Sequence, residues 1–176
     1  MCPSAQVWHG YSCLSRVCSF SLGVGGRPPQ LVPELRGPAV AVFSLMNIVG
    51  IGYEGLTLPD LVDRLRSLDV SRVVDVRLAA RSRKRDFNKK ALAAGLAAAG
   101  LGYTHLPALG NPPWNRPGFH GSPAELAEAR AAYASLMPSS ALSSVAALAA
   151  QERVALLCFE ADQSQCHRDV ILSALS

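Results

Sequence analysis

The chain has 176 residues, of which 49% are hydrophobic and 17% charged, and its net charge is +4. That balance supplies the core of one domain plus an extension and excludes a chain disordered throughout. No apolar run reaches the roughly 18–20 residues of a membrane span, and the five cysteines, at 2, 13, 18, 158 and 166, are odd in number and unevenly clustered, so neither a membrane protein nor a disulfide-stapled one is expected.

Residues 1–45 hold three cysteines, several Ser and Gly, and the turn-rich run Gly25-Gly-Arg-Pro-Pro-Gln30. No period is sustained there, although 39–45 is apolar enough for a short strand. No positively charged leader precedes an apolar region, so a secretory signal is not expected. Met46 opens a clean α/β pattern. The expected division is therefore 1–45 as a disordered extension or misassigned start, and 46–176 as the folded domain.

The run 47–51 is a buried strand, broken by Gly52-Tyr53-Glu54-Gly55. Thr57 with Asp60 forms a capping box, and Pro59 is tolerated in the first helical turn. Leu58, Leu61, Val62, Leu65 and Leu68 then make one apolar helical stripe. A second strand over 72–76 leads into an arginine-rich loop. Asn88 is expected to cap a helix over 89–99, which Gly100 stops. A third short strand covers 101–105.

Residues 106–121 form a long loop with four prolines, three glycines, Trp114 and His120, and loops of that length inside a compact domain are often functional. Ser122, Pro123 and Glu125 start a helix that runs to about Met137, where Pro138 interrupts. A further helix over 140–151 leads to a strand over 154–159. Asp162 with Gln165 is expected to cap the last helix, placing Cys166 and His167 one turn inside it.

The order is βα, βα, β, αα, βα. It predicts an α/β fold: a single three-layer domain with a mainly parallel four-stranded sheet and helices on both faces. Ligands of such sheets bind beyond the carboxyl ends of the strands. Here those ends carry Tyr53 and Glu54, then Arg77, then the proline-rich loop, then Cys158-Phe159-Glu160.

Charge is concentrated in one place. Residues 77–90 hold seven basic side chains and one acid, Asp86, while the rest of the chain has more acids than bases. With Phe87 this patch suits a nucleotide or a nucleic acid as partner, against the plainer reading of a solvated basic loop. Arg77, Arg81 and Arg168 are candidates to clamp an anion, because guanidinium matches phosphate bidentately. The plainer role for Arg77 is to pair with Glu160 or Glu54 across the strand ends. Tyr53 offers a hydroxyl or a stacking ring.

Glu160 and His167 are the acid–base candidates. Cys166, near a helix start and beside His167 and Arg168, is a candidate nucleophile, although packing in the core is the commoner fate of a buried cysteine. Cys158 ends a buried strand and reads as core. Joint ligation of a metal by Cys158, Cys166 and His167 is awkward, because adjacent helical residues diverge by about 100°, and His105 or His120 would have to complete it. No metal is expected. No cofactor is expected either: there is no G-x-x-x-x-G-K loop, and Gly50-x-Gly52-x-x-Gly55 stands without a dinucleotide context.

Several motifs recur in one order: Gly-Ile-Gly-Tyr-Glu-Gly at 50–55, Val-Asp-Val-Arg at 74–77, Arg-Ser-Arg-Lys at 81–84 with Phe87, Leu-Gly-Asn-Pro at 109–112, and Leu-Cys-Phe-Glu at 157–160 followed by Cys-His-Arg at 166–168. In these the chain, from Met46 to about Leu175, resembles the bacterial family called domain of unknown function 488 (DUF488). The resemblance implies a small cytosolic α/β domain and brings no substrate. Three readings follow. The first is binding, with or without processing, of a phosphate-bearing ligand at the carboxyl edge of the sheet. The second is a thiol-based redox or metal-responsive module using Cys158 and Cys166. The third is a non-catalytic interaction domain.

Overall fold

The computed structural model describes residues 47–176. The expectations for 1–45, an extension with a possible strand at 39–45, lie outside the described residues. Four strands form one all-parallel sheet: β1 (Ile48–Gly52), β2 (Arg72–Asp75), β3 (Gly102–His105) and β4 (Val154–Cys158). Five α-helices surround it among the described residues: α1 (Leu58–Ser67), α2 (Lys89–Ala98), α3 (Pro123–Leu136), α4 (Ser139–Ala149) and α5 (His167–Ala174). The sheet order is β1-β4-β2-β3, so the last strand in sequence sits between the first two.

The position of β4 follows from its composition. Val154-Ala-Leu-Leu-Cys158 is buried at all five residues, as a strand covered on both faces must be. Its alternate side chains serve two cores. Val154, Leu156 and Cys158 pack with Val74, Val145, Tyr133 and Ile171 on the face of α3, α4 and α5. Ala155 and Leu157 pack with Val73, Leu61, Leu65, Leu92 and Leu96 on the face of α1 and α2. The expected three-layer fold is the observed one.

Both predicted capping boxes form. Thr57 accepts from the Asp60 backbone while Asp60 accepts from the Thr57 backbone, and Ser122 and Glu125 do the same at α3. Gly100 stops α2 at φ +79°, a conformation that costs glycine nothing. Two predicted caps do not form. Asn88 occupies the position before α2, but its Oδ1 accepts from the Ser82 N–H at 2.9 Å and its Nδ2 donates to the Arg85 carbonyl at 3.1 Å. It braces the basic loop instead. Asp162 spends its carboxylate on the backbone and hydroxyl of Ser164, and α5 starts only at His167, with Cys166 as its cap residue.

The capping carboxylates tie stability to pH. Hydrogen bonds from Thr57 hold the Asp60 carboxyl below its ordinary 3.8, and those from Ser122 hold Glu125 below its ordinary 4.5. A carboxylate lowered in the folded state contributes stability that is full above its unfolded pKa and is lost as pH falls through the folded one. The urea midpoint is therefore expected to stay level down to about pH 5 and to fall below about pH 4. Asp60→Asn together with Glu125→Gln should flatten that fall. An equal fall in the double variant assigns the acid sensitivity to other groups.

Candidate functional site

The cleft arises from a change of direction in the chain. After β2 the chain turns to α2 on one face, and after β4 it turns to α5 on the other. The two strands are neighbours, so their outgoing loops separate and leave a crevice beyond their carboxyl ends. A cavity of about 660 Å³ lies there, within the range of small-ligand sites. Its walls come from Tyr53 after β1, from 77–84 after β2, from the proline-rich loop after β3, and from 158–167 after β4.

Close approach of the β1 and β4 ends closes one side. The Tyr53 and Glu54 N–H groups donate to the Cys158 and Phe159 carbonyls, extending the strand pairing past β1. A Cβ on Gly52 would lie 1.8 Å from the Glu160 carbonyl oxygen, so only glycine lets the loop after β4 cross here. Glu54 accepts from the Ala161 N–H at 3.0 Å. It fastens that loop and does not line the cavity.

Arg77 lines the cavity but is already engaged. Asp75 and Arg77, two apart, project to the same side of the strand line. Asp75 accepts from the Arg77 Nε at 2.8 Å and Nη2 at 2.6 Å, and also from the Tyr103 hydroxyl at 2.7 Å. The Arg77 Nη1 donates to the Tyr53 hydroxyl and to the Phe87 carbonyl, both at 3.0 Å. Burial opposes the guanidinium charge, but the bonds and charge of Asp75 outweigh it and hold Arg77 above its ordinary value. The pairing expected with Glu160 or Glu54 is thus replaced by one with Asp75. Tyr53 is occupied too: its ring stacks on Phe87 at 4.3 Å and meets Phe159 edge-on at 5.5 Å.

Arg168 is 1% exposed and stands outside the cavity lining. Its Nε donates to the Cys166 sulfur at 3.2 Å and its Nη2 to the Glu160 carbonyl. The expected clamp of Arg77, Arg81 and Arg168 therefore does not assemble, because two of the three side chains are consumed inside the protein. The cations facing the cavity with open valences are Arg81, Arg83, Lys84 and Arg116. None of them takes part in the four ion pairs among the described residues. Lys84 touches the Leu56 carbonyl and Arg116 the Asn111 carbonyl. Arg116 and the buried Asn111 were not singled out from sequence. The Leu-Gly-Asn-Pro motif in an unusually long loop was the available signal.

At the floor, four groups converge. The sulfurs of Cys158 and Cys166 and the Nδ1 of His167 all lie within 4.8 Å of one another. Glu160 Oε2 is 3.0 Å from the Cys158 sulfur and 3.2 Å from that of Cys166. His167 Nε2 is 3.2 Å from the Val76 carbonyl. A carbonyl only accepts, so Nε2 carries a proton, and Nδ1 is the ring nitrogen turned toward the sulfurs. Hydrogen bonding from Cys158 lowers the Cys166 thiol against its burial, with help from His167 and Arg168, while the same bond and burial raise Cys158. Cys158 is thus part of the site as well as of the core. His120 sits at the rim against Gln165, and His105 is turned away to the Arg77 carbonyl.

No described helix is long and apolar enough to cross a membrane. Among known families, the one described as domain of unknown function DUF488 matches residues 57–175. No curated protein and no solved structure matches the chain.

Proposed function

The chain belongs to the DUF488 family, whose description leaves the activity open, and we propose that this member binds a phosphate-bearing ligand, a nucleotide or a nucleic-acid end, in the cleft beyond β2 and β4. One observation carries the reading: five basic side chains line the cavity against a single carboxylate, Glu160. Low-dielectric walls around charges of one sign concentrate the field and attract anions. Arg81, Arg83, Lys84 and Arg116 hold the phosphates, and Arg77 keeps the loop in place from below. Phe159, 45% exposed at the mouth, offers its ring to a base. Cys166, His167 and Glu160 lie where a bound phosphate ester or base would meet them, which leaves room for chemistry on the ligand. Two unbridged thiols suit a reducing, cytoplasmic setting.

The test is a thermal-shift screen of the full chain against mono-, di- and triphosphate nucleotides and short single-stranded oligonucleotides. A ligand that binds only the folded state raises the melting temperature with concentration. Arg81→Ala/Arg116→Ala should abolish most of the shift while leaving the unliganded midpoint close to wild type, since both side chains are exposed. If nothing in the screen stabilises the protein, or the double variant responds as wild type does, the cleft is not a phosphate site.

A further inference from the structure

We infer that Cys158, Cys166 and His167 form a zinc site on the floor of the cleft, with the fourth coordination position facing the cavity beside Glu160. The inference goes beyond the anion reading and does not rest on it, because the donors are not the rim cations.

The geometry fits the ion. Tetrahedral zinc with Zn–S of about 2.3 Å and Zn–N of about 2.0–2.1 Å sets its donors roughly 3.5–3.8 Å apart. The Nδ1 of His167 is 3.9 Å from the Cys158 sulfur and 3.8 Å from the Cys166 sulfur. The two sulfurs lie within 4.8 Å of one another, so closing on a central ion moves the nitrogen by a few tenths of an ångström and draws the sulfurs together by up to about 1 Å. Two sulfurs and an imidazole nitrogen are also the donor set that zinc favours.

The sequence-based objection was that adjacent helical side chains diverge. It does not hold here. Cys166 precedes the first helical residue, with φ −130° and ψ 142°, and this extended backbone lets it share a focus with His167. The outer contacts are already those of a metal ligand set. The Val76 carbonyl holds the His167 Nε2 proton and fixes the tautomer that ligates through Nδ1. The Arg168 Nε stands against the Cys166 sulfur and offsets thiolate charge.

The cluster also has an electrostatic reason to take a cation. Two thiols and a carboxylate oxygen converge within hydrogen-bonding range in a largely buried place. A thiolate and a carboxylate this close repel unless a proton or a metal lies between them. Zinc binding displaces the two thiol protons to solvent and leaves two thiolates, one neutral imidazole and a position open to water or ligand oxygen. In that arrangement Glu160 is placed to exchange a proton with metal-bound water.

The experiment uses the reduced full chain under anaerobic conditions, titrated with zinc chloride or cobalt chloride. One ion per chain is expected, and the cobalt form should show thiolate-to-metal charge transfer with the visible bands of tetrahedral coordination. Cys158→Ser and Cys166→Ser should each weaken binding by more than the roughly 10–100-fold that an outer-shell loss alone costs. Alkylation of the wild-type chain, mapped by peptide mass spectrometry with and without zinc, tests the site independently of how either variant folds. Zinc should protect Cys158 and Cys166. Absence of the charge-transfer band overturns the inference, as does alkylation of Cys158 and Cys166 at equal rates with and without zinc. A chain that forms a Cys158–Cys166 disulfide on oxidation, but takes no metal when reduced, shows a dithiol switch instead. The Arg81→Ala/Arg116→Ala variant should keep the cobalt spectrum, so failure of the anion reading and failure of this one are told apart.

Discussion

Asp75→Ala is expected to lower the free energy of unfolding by about 3–5 kcal/mol. The carboxylate is fully buried, and it answers the Arg77 N–H, two guanidinium nitrogens and the Tyr103 hydroxyl. Its removal leaves a guanidinium that is 5% exposed without a counter-charge, and the cost of an uncompensated buried charge exceeds the net worth of the intact pair. The effect is also topological. Asp75 reaches Tyr103 within β3, and Arg77 reaches Tyr53 after β1 and Phe87 before α2, so one pair ties three strands together. Urea denaturation measures the loss. Asp75→Ala/Arg77→Met should recover part of it, since an apolar pair of similar volume carries no charge to desolvate. A loss under about 1 kcal/mol, the worth of an exposed pair, would mean that the site is wetter than its burial indicates.

Tyr53→Ala should cost a comparable amount, about 3–5 kcal/mol, the range for truncating a buried aromatic ring. The ring is 3% exposed, lies 11° from parallel with Phe87 and receives Phe159 edge-on. Tyr53→Phe removes only the hydroxyl that accepts from Arg77 and should cost about 1 kcal/mol. The contrast separates a brace from a ligand contact. Were Tyr53 free to stack on a base, truncation would leave the urea midpoint nearly unchanged and would weaken nucleotide affinity instead. The stacking partner offered to a ligand is Phe159, whose substitution by Ala should change affinity with little change in stability.

Much of this arrangement is legible along the chain. The stripe Leu58–Leu61–Val62–Leu65 has helical period, and the boxes at Thr57 and Ser122 satisfy their N–H groups within three residues. Strands alternating with helices imply a parallel sheet, and a parallel sheet puts every strand-end group on one edge. It puts Tyr53, Glu54, Arg77, Cys158 and Glu160 on that edge, and all but Glu54 line the cavity there. The last helix, expected to start after Asp162, starts instead after Cys166, several residues later. Asp162-Ser-Gln-Cys has the form of a cap, but Asp162 bonds to Ser164, and local pattern does not say which turn a carboxylate will serve. Asp75 ends a strand two residues before Arg77, where a carboxylate commonly pairs with a loop N–H or an arginine, and it serves Arg77 as both. The other contacts of the pair, from Tyr103 on β3 to Asp75 and from the Arg77 Nη1 to Tyr53 and Phe87, have no local pattern.

Sequence alone therefore determined the elements, their order and the edge on which chemistry can occur, because periodicity and capping are contacts within a few residues. Only the tertiary structure decided which charges remain available. Arg77 and Arg168 looked like the anion clamp, and both are satisfied by groups that the fold brings against them. The two cysteines looked like core and lone nucleophile. The insertion of β4 between β1 and β2, with an extended residue before α5, sets their sulfurs within 4.8 Å of one imidazole nitrogen. Long-range pairing and the burial of charge have no signature in local sequence, because they depend on what the rest of the chain delivers to the same point.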